Sequence, residues 1–429
     1  MIVPSYKTIA RNIGIFGGAQ AISVLAALIR TKVAAVYLGS TGVGLSAIYI
    51  TSVLLLSNIA GLGLTFSGVK YLSEVYAKDD EPEFKKSVES LRSLSLLCSL
   101  VGLALTIVVS PFLSKIYFSD YDHIFEFVLL SIFVAGTIFS GIEFAILKAC
   151  QKISYMTISM IITALCSVSI SVPFYIFKGV EGVLWAVFCC GMCEVLLLIF
   201  LGHKAISTRY TLSYVVKGRF WKSNKPMLIL GFASLLGAII SYGTDMTIQS
   251  SFATMVSIAT LGLYKAGYQL SIHYPSMIFT AVGNDFYPRL SAACQNKDER
   301  NILILRQIKV LLCITIPLIA CFILIVPILL PLLFDYTFSP VCRMVQIASL
   351  SIIFKSVTAP LNYLPLALGK SLHYLLLEGS FWFLLIPCVI FGYKFFGLDG
   401  AGMAILLCNA IELVYVVIFC RLKYGFRFK

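Results

Sequence analysis

Five basic residues stand inside apolar runs, where a full charge is costly and usually functional: Arg30, Lys32, Lys70, Lys265 and Lys355. Lys32 follows Arg30 two positions on, within "LIRTKVAAVYLG" at 28–39. Six acids lie in similar surroundings: Glu143, Glu194, Asp245, Asp285, Glu378 and Glu412. These residue types suit the handling of charge. Arg and Lys neutralise a phosphate-like anion through charge-assisted hydrogen bonds. Carboxylates in low dielectric hold a proton or a cation, which makes Asp245 and Glu378 candidates for ion coupling. A metal centre is not expected. His273 has no Cys or His partner nearby in sequence, and the 13 cysteines are scattered through apolar segments. Cys190 and Cys193 come nearest to a ligand pair, but they sit in an apolar run without histidines, where cysteine packs as a small apolar residue. "GLGLTFSG" at 61–68 is glycine-rich but lacks the GK[ST] of a nucleotide loop, so its glycines read as sites of close packing or bending.

The elements that hold these charges are membrane helices. Of 429 residues, 59% are hydrophobic and 12% charged, against about 25% charged in soluble domains. Mean hydropathy is +0.94. The first apolar segment is long and ends in "YLGSTGVG", so it reads as a retained helix rather than a cleaved leader. With about 20 residues needed per crossing, the chain predicts twelve spans: 12–37, 43–75, 91–115, 124–150, 153–177, 181–202, 225–250, 257–287, 303–330, 341–368, 371–392 and 399–421. The runs are continuously apolar, without the alternation of a transmembrane barrel.

On this map 24 of the 33 Lys and Arg, Arg92 and Arg300 among them, fall in the even-numbered connections and the two termini, and four fall in the odd-numbered ones. That asymmetry places both termini in the cytoplasm. It also accounts for the net charge of +13 without a nucleic-acid partner. The connections are too short for an extramembrane catalytic domain, so an enzyme is not expected.

The chain also repeats itself. At an offset of 218 residues "GVEGVLWAVFCCGMCEVLLLIF" from 179 aligns with "GLDGAGMAILLCNAIELVYVVIF" from 397, pairing Gly179 with Gly397 and Glu194 with Glu412. The same offset pairs Lys152 with Lys370, and an offset of 220 pairs Pro111 with Pro331. Two six-helix halves follow, 1–202 and 225–429, joined by a basic cytoplasmic linker at 203–224. An even number of spans gives both halves the same orientation, a parallel repeat of the kind in which transporters bind substrate between halves and rock.

Depth separates the roles of the charges. Arg30 lies roughly 10 Å from the outer end of its helix, at ~1.5 Å per residue. Arg30 and Lys265 can each snorkel or face a cavity. Lys32 is about 200° round the helix from Arg30, so the two cannot point the same way, and Lys32 is the expected snorkeller. Lys355 is too central to snorkel cheaply, which leaves a cavity or an acidic partner. Asp245 and Lys265 share a depth, suiting an ion pair or a coupling site. Glu194 and Glu412, central and duplicated, suit an architectural role. The eighth span, with Tyr264, Tyr268, Gln269, His273 and Tyr274, is too polar to face lipid, and Pro275 predicts a kink.

"GLGLTFSGVKYLSEVYA", "LGLYKAGYQL…AVGNDFYPRLSA" and "LLFDYTFSPVCRMVQIASLSIIFKSVTAPLNYLPLALGK" resemble the Wzx-type polysaccharide flippases of the multidrug/oligosaccharidyl-lipid/polysaccharide (MOP) exporter superfamily. The resemblance runs over nearly the whole chain. It implies an all-α fold of twelve helices in two bundles, V-shaped around a central cavity and similar to the MATE transporters. It implies a bacterial inner-membrane protein that flips undecaprenyl-diphosphate-linked oligosaccharide to the periplasmic leaflet for O-antigen, lipopolysaccharide or capsule, with glycan polymerase machinery as partner. No cofactor is implied beyond a proton or sodium gradient or the membrane potential. By position, Arg30 and Lys70 are then expected to meet the diphosphate, with Lys265 and Lys355 as further candidates. The alternatives are a drug exporter of the same superfamily, which calls for an acidic cavity, and a membrane glycan polymerase or ligase, which calls for a large outer loop.

Overall fold

The computed structural model describes residues 6–76, 78, 80–206, 208, 225–294 and 296–427. No strand occurs among them. The expected linker, 203–224, falls largely outside the described residues.

The helices are α1 (Tyr6–Gly61), α2 (Leu64–Tyr76), α3 (Glu81–Phe118), α4 (Ile124–Ala149), α5 (Ile153–Lys178), α6 (Gly182–Ala205), α7 (Lys225–Met255), α8 (Ile258–Tyr268), α9 (Tyr274–Ala293), α10 (Lys297–Leu333), α11 (Cys342–Ser349), α12 (Ser351–Ala367) and α13 (Ser371–Tyr424). Seven stretches among the described residues are long and apolar enough to cross a membrane, and the bent pair at 336–367 makes eight. Three of the seven are double. α1 turns at Gly39, and α13 turns at Phe396 and Gly397. Residues 153–205 comprise α5 and α6, joined at Gly179. With the broken pair α8 and α9, the helices are consistent with twelve spans. The protein is an all-helical, multi-pass membrane protein.

The joints recur at the sequence offset. Gly179 (φ 58°) and Gly397 (φ 62°) both turn the chain in the left-handed region, where a Cβ is strained. Gln151 (φ 53°) and Gly369 (φ 69°) do the same 218 residues apart. The partner position of Gly39 is Ser257, an extended residue whose Oγ accepts from the Thr260 amide at 3.1 Å and so caps α8. A glycine turn in one half is thus a serine cap in the other.

Three expectations need correction. The second span does not run unbroken to residue 75: Leu62 (φ 52°) and Gly63 (φ 65°) end α1, and α2 starts at Leu64. The eighth span is interrupted by a π-helical turn at Gln269–His273, directly before Pro275. Proline lacks an amide hydrogen, and a widened turn upstream absorbs the missing bond. Finally, α3 starts at Glu81 rather than near 91. Asp80 caps it, accepting from the Glu83 amide at 2.9 Å, and this draws Arg92 out of the expected connection and into the helix.

The chain divides into two compact units, residues 1–246 and 247–429, so most of α7 groups with the first. In the first unit α3 packs on α4, α1 on α5, and α6 on both α4 and α5. In the second, α13 packs on α11 and α12, around a core that includes Phe286, Leu290, Ile304, Leu361 and Val416.

Candidate functional site

Inside the first unit, α1, α4, α5 and α6 border a half-open cavity of about 550 Å³. Arg30 lines it from α1 and Glu194 from α6. Gln20, Ser23, Thr137, Ser140, Phe144, Ser159, Thr163 and Ser167 make up much of the remaining wall. Lys32 is not on this lining, in keeping with its place on another face of the helix. Glu194 keeps accessible surface despite the helices around it, because it faces the cavity. Arg30 and Glu194 are within Coulombic reach, yet among the described residues no ion pair joins them.

Most of the hydroxyls around them are already committed as donors. Ser23 donates to the Ala19 carbonyl at 3.0 Å, Thr137 to Phe133 at 2.8 Å, Ser159 to Met156 at 2.7 Å and Ser167 to Ala164 at 2.7 Å. Such back-bonding satisfies the proton within the helix and leaves oxygen lone pairs toward the cavity. The strong donor for an anion in this wall is therefore the Arg30 guanidinium, assisted by the Gln20 amide.

The second unit treats its central charge differently. Lys355 on α12 donates to both oxygens of Glu412 on α13, at 3.4 and 3.3 Å. Asn362 donates to the same carboxylate at 3.2 Å, and Lys355 lies 4.8 Å from the Phe381 ring centre. Glu412 is fully buried. The acidic partner expected for Lys355 is present, and it is Glu412. Glu378 is half-buried and within electrostatic reach of this pair.

Lys70 and Asp245 belong to the first unit but do not line its cavity. Lys70 is exposed on α2, and Lys265 is half-buried on α8 with its ammonium 5.9 Å from the Tyr268 ring centre. Asp245, in the first unit, accepts from Thr51 at 3.3 Å. Asp245 and Lys265 belong to different units.

Sequence reasoning missed a second buried ion pair. Arg92 holds Glu143 bidentately, at 2.7 Å through Nε and 2.6 Å through Nη2, with both side chains at 0% exposure. Its Nη1 donates to the Ile206 carbonyl at 3.0 Å and to Thr208 Oγ1 at 2.5 Å, tying down the chain that leaves α6. The available signal was spacing: Phe84, Val88 and Arg92 fall four apart on one helical face, and all three are buried. The second unit has a simpler counterpart, in which Arg300 at the start of α10 donates to the Tyr424 carbonyl at the end of α13, at 2.6 Å. Among the described residues no group of three His, Cys, Asp or Glu is placed to hold a metal ion.

Comparison with solved structures places this architecture. The chain is similar to an inward-facing multidrug resistance MATE family transporter of the MOP superfamily (TM-score 0.76, 14% identity, covering 95% of this chain and 94% of that one). It is similar to the lipid II flippase MurJ in an inward closed conformation (TM-score 0.75, 14% identity, 95% and 87% covered). It also matches a MOP superfamily transporter from Pyrococcus furiosus described as having a binding pocket of reverse polarity (TM-score 0.69, 12% identity, 96% and 95% covered). At these identities the likeness establishes the fold, that of the MOP transporters. A search of curated protein sequences finds no match. The polysaccharide biosynthesis protein family model matches residues 9–294, two thirds of the chain, and the chain belongs to that family.

Proposed function

We propose that this protein is a flippase that carries undecaprenyl-diphosphate-linked oligosaccharide from the cytoplasmic to the periplasmic leaflet of the bacterial inner membrane. The observation that carries the reading is Arg30, a guanidinium on the wall of a largely apolar cavity with interspersed hydroxyls within a helical bundle, in a chain of the polysaccharide biosynthesis family. A diphosphate moving through low dielectric needs charge neutralisation, and a planar guanidinium supplies it with directed hydrogen bonds. The lysine and arginine asymmetry supports cytoplasmic termini. The repeat supports two halves, 1–202 and 225–429, that alternate access. Lys70 and Lys265 are secondary contacts for the headgroup in this scheme. Lys355, held by Glu412, contributes only if that pair opens. Asp245 or Glu378 serves ion coupling. The lipid-linked precursor comes from, and the flipped product passes to, glycan-assembling enzymes of the same membrane.

One observation favours a second reading. Glu194 on the same wall is what an organic cation would seek, as in a drug exporter. Flipping of a fluorescent undecaprenyl-diphosphate glycan in proteoliposomes separates the two. Transport by the wild type that collapses in Arg30→Ala, at matched incorporation, supports the flippase. Vesicles that move a cationic dye but no lipid-linked glycan overturn it.

A further inference from the structure

Glu194 is unused by the scheme above, and it stands in the way of it. A wall that offers one guanidinium to a phosphate also offers a carboxylate that repels it. Its counterpart 218 residues on, Glu412, is buried and accepts from a lysine on a neighbouring helix. In the first unit Glu194 faces an arginine across an open cavity. Ser23, Thr137, Ser140, Ser159 and Ser167 donate to helix carbonyls, so these five present acceptors to the cavity and do little to neutralise either carboxylate or phosphate. Two anions beside one guanidinium repel each other, which favours the neutral form of the one that can take a proton.

We propose that Glu194 is the resident counter-ion of Arg30, and that an anionic headgroup displaces it while Glu194 takes up one proton. This rests on the reading of Arg30 as the headgroup site. The proton is taken up from the bulk solution and ends on the Glu194 carboxylate, while Arg30 stays charged throughout. The cavity then carries one negative charge less than it would with Glu194 ionised.

The titratable groups packed around Glu194 are few. α1 contributes Arg30, α5 contributes Cys166 and Tyr175, and α6 itself contributes Cys190 and Cys193. α4 lines this wall with Thr137, Ser140, Gly141 and Phe144, none of them titratable. Thiols and phenols ordinarily lose protons above neutrality, so Glu194 is the group that exchanges one as pH rises from acid to neutral. Headgroup binding needs its protonated form, so affinity falls as pH increases.

The test measures binding of a fluorescent undecaprenyl-diphosphate disaccharide to the detergent-solubilised full chain by anisotropy from pH 5 to 8, with proton uptake read in weak buffer. The expected wild-type affinity falls by up to tenfold per pH unit, with about one proton taken up per ligand bound. Glu194→Gln binds more tightly with a flat profile and no uptake. A flat wild-type profile, or a slope retained in Glu194→Gln, overturns the proposal while leaving Arg30 in place. Undiminished binding by Arg30→Ala overturns the headgroup site itself, and the displacement with it.

Discussion

Glu194 and Glu412 lie 218 residues apart in the sequence, one in each compact unit, and keep different company. Glu412 is sealed against Lys355, Asn362 and the Phe381 ring. Glu194 looks across a cavity at Arg30. The repeat has kept the acid and opposed it to a base of different chemistry, from a helix at a different place in each half. A buried pair resists separation because each ion left alone keeps its desolvation cost. An open pair forfeits little on separating, because water replaces what the partner gave. One half therefore holds its central charge as scaffold, and the other holds it available.

The Arg92–Glu143 pair marks the closed extreme and carries the largest expected effect. Arg92→Ala strands a fully buried carboxylate and frees the chain leaving α6. A loss of about 3–5 kcal/mol is expected, seen as a large fall in thermal unfolding temperature in detergent. Glu143→Gln, which keeps the shape and some hydrogen bonds, should lose less. A small loss for Arg92→Ala would remove this pair from the closed class. Lys355→Met should come next, near the lower end of that range, because its side chain is 26% exposed and its contacts are longer. Lys355→Met combined with Glu412→Gln should recover part of the loss. Strict additivity of the two would show that the pair is not coupled.

The joints offer a third comparison, one in which the halves should agree. Gly179→Ala and Gly397→Ala each place a Cβ at positive φ with ψ of about −140°, at about 1–3 kcal/mol. Equal losses in thermal stability are expected from the shared turn geometry. A clear inequality would mean that the repeat preserves the bend but not its energetic weight.

How far these features could be read in the sequence depends on what sets them. The spans follow from hydropathy, and the repeat from a constant offset that the structure repeats in its backbone at Gln151 and Gly369 and at Gly179 and Gly397. The need of Lys355 for a partner or a cavity followed from its depth alone. Its partner did not, because pairing α12 with α13 is a tertiary fact that linear spacing does not encode. Arg92 was misplaced for a related reason. Charge near a helix end reads as connection, and only the Asp80 cap and the buried Phe84 and Val88 show that the helix has already begun. The break at Leu62 was half legible: the neighbouring glycines signal bending, but a leucine in the left-handed region has no sequence signature.

The smallest stability effect should carry the largest functional one. Arg30 and Glu194 border a cavity, so neither Arg30→Met nor Glu194→Gln creates an unpaired charge that water cannot reach. Each should change stability by no more than about 0.5 kcal/mol, the range of exposed sites. Arg30→Met should nevertheless abolish glycan flipping, while Lys355→Met, scored on its folded fraction, should retain part of it. If Arg30→Met instead destabilises as much as Lys355→Met, the first half is as closed as the second. The cavity would then be a packing defect around a structural pair, and the contrast between the halves would lose its functional meaning. If it leaves both stability and flipping intact, the guanidinium serves neither scaffold nor substrate, and the headgroup must be met elsewhere, with Lys70 and Lys265 the next residues to replace.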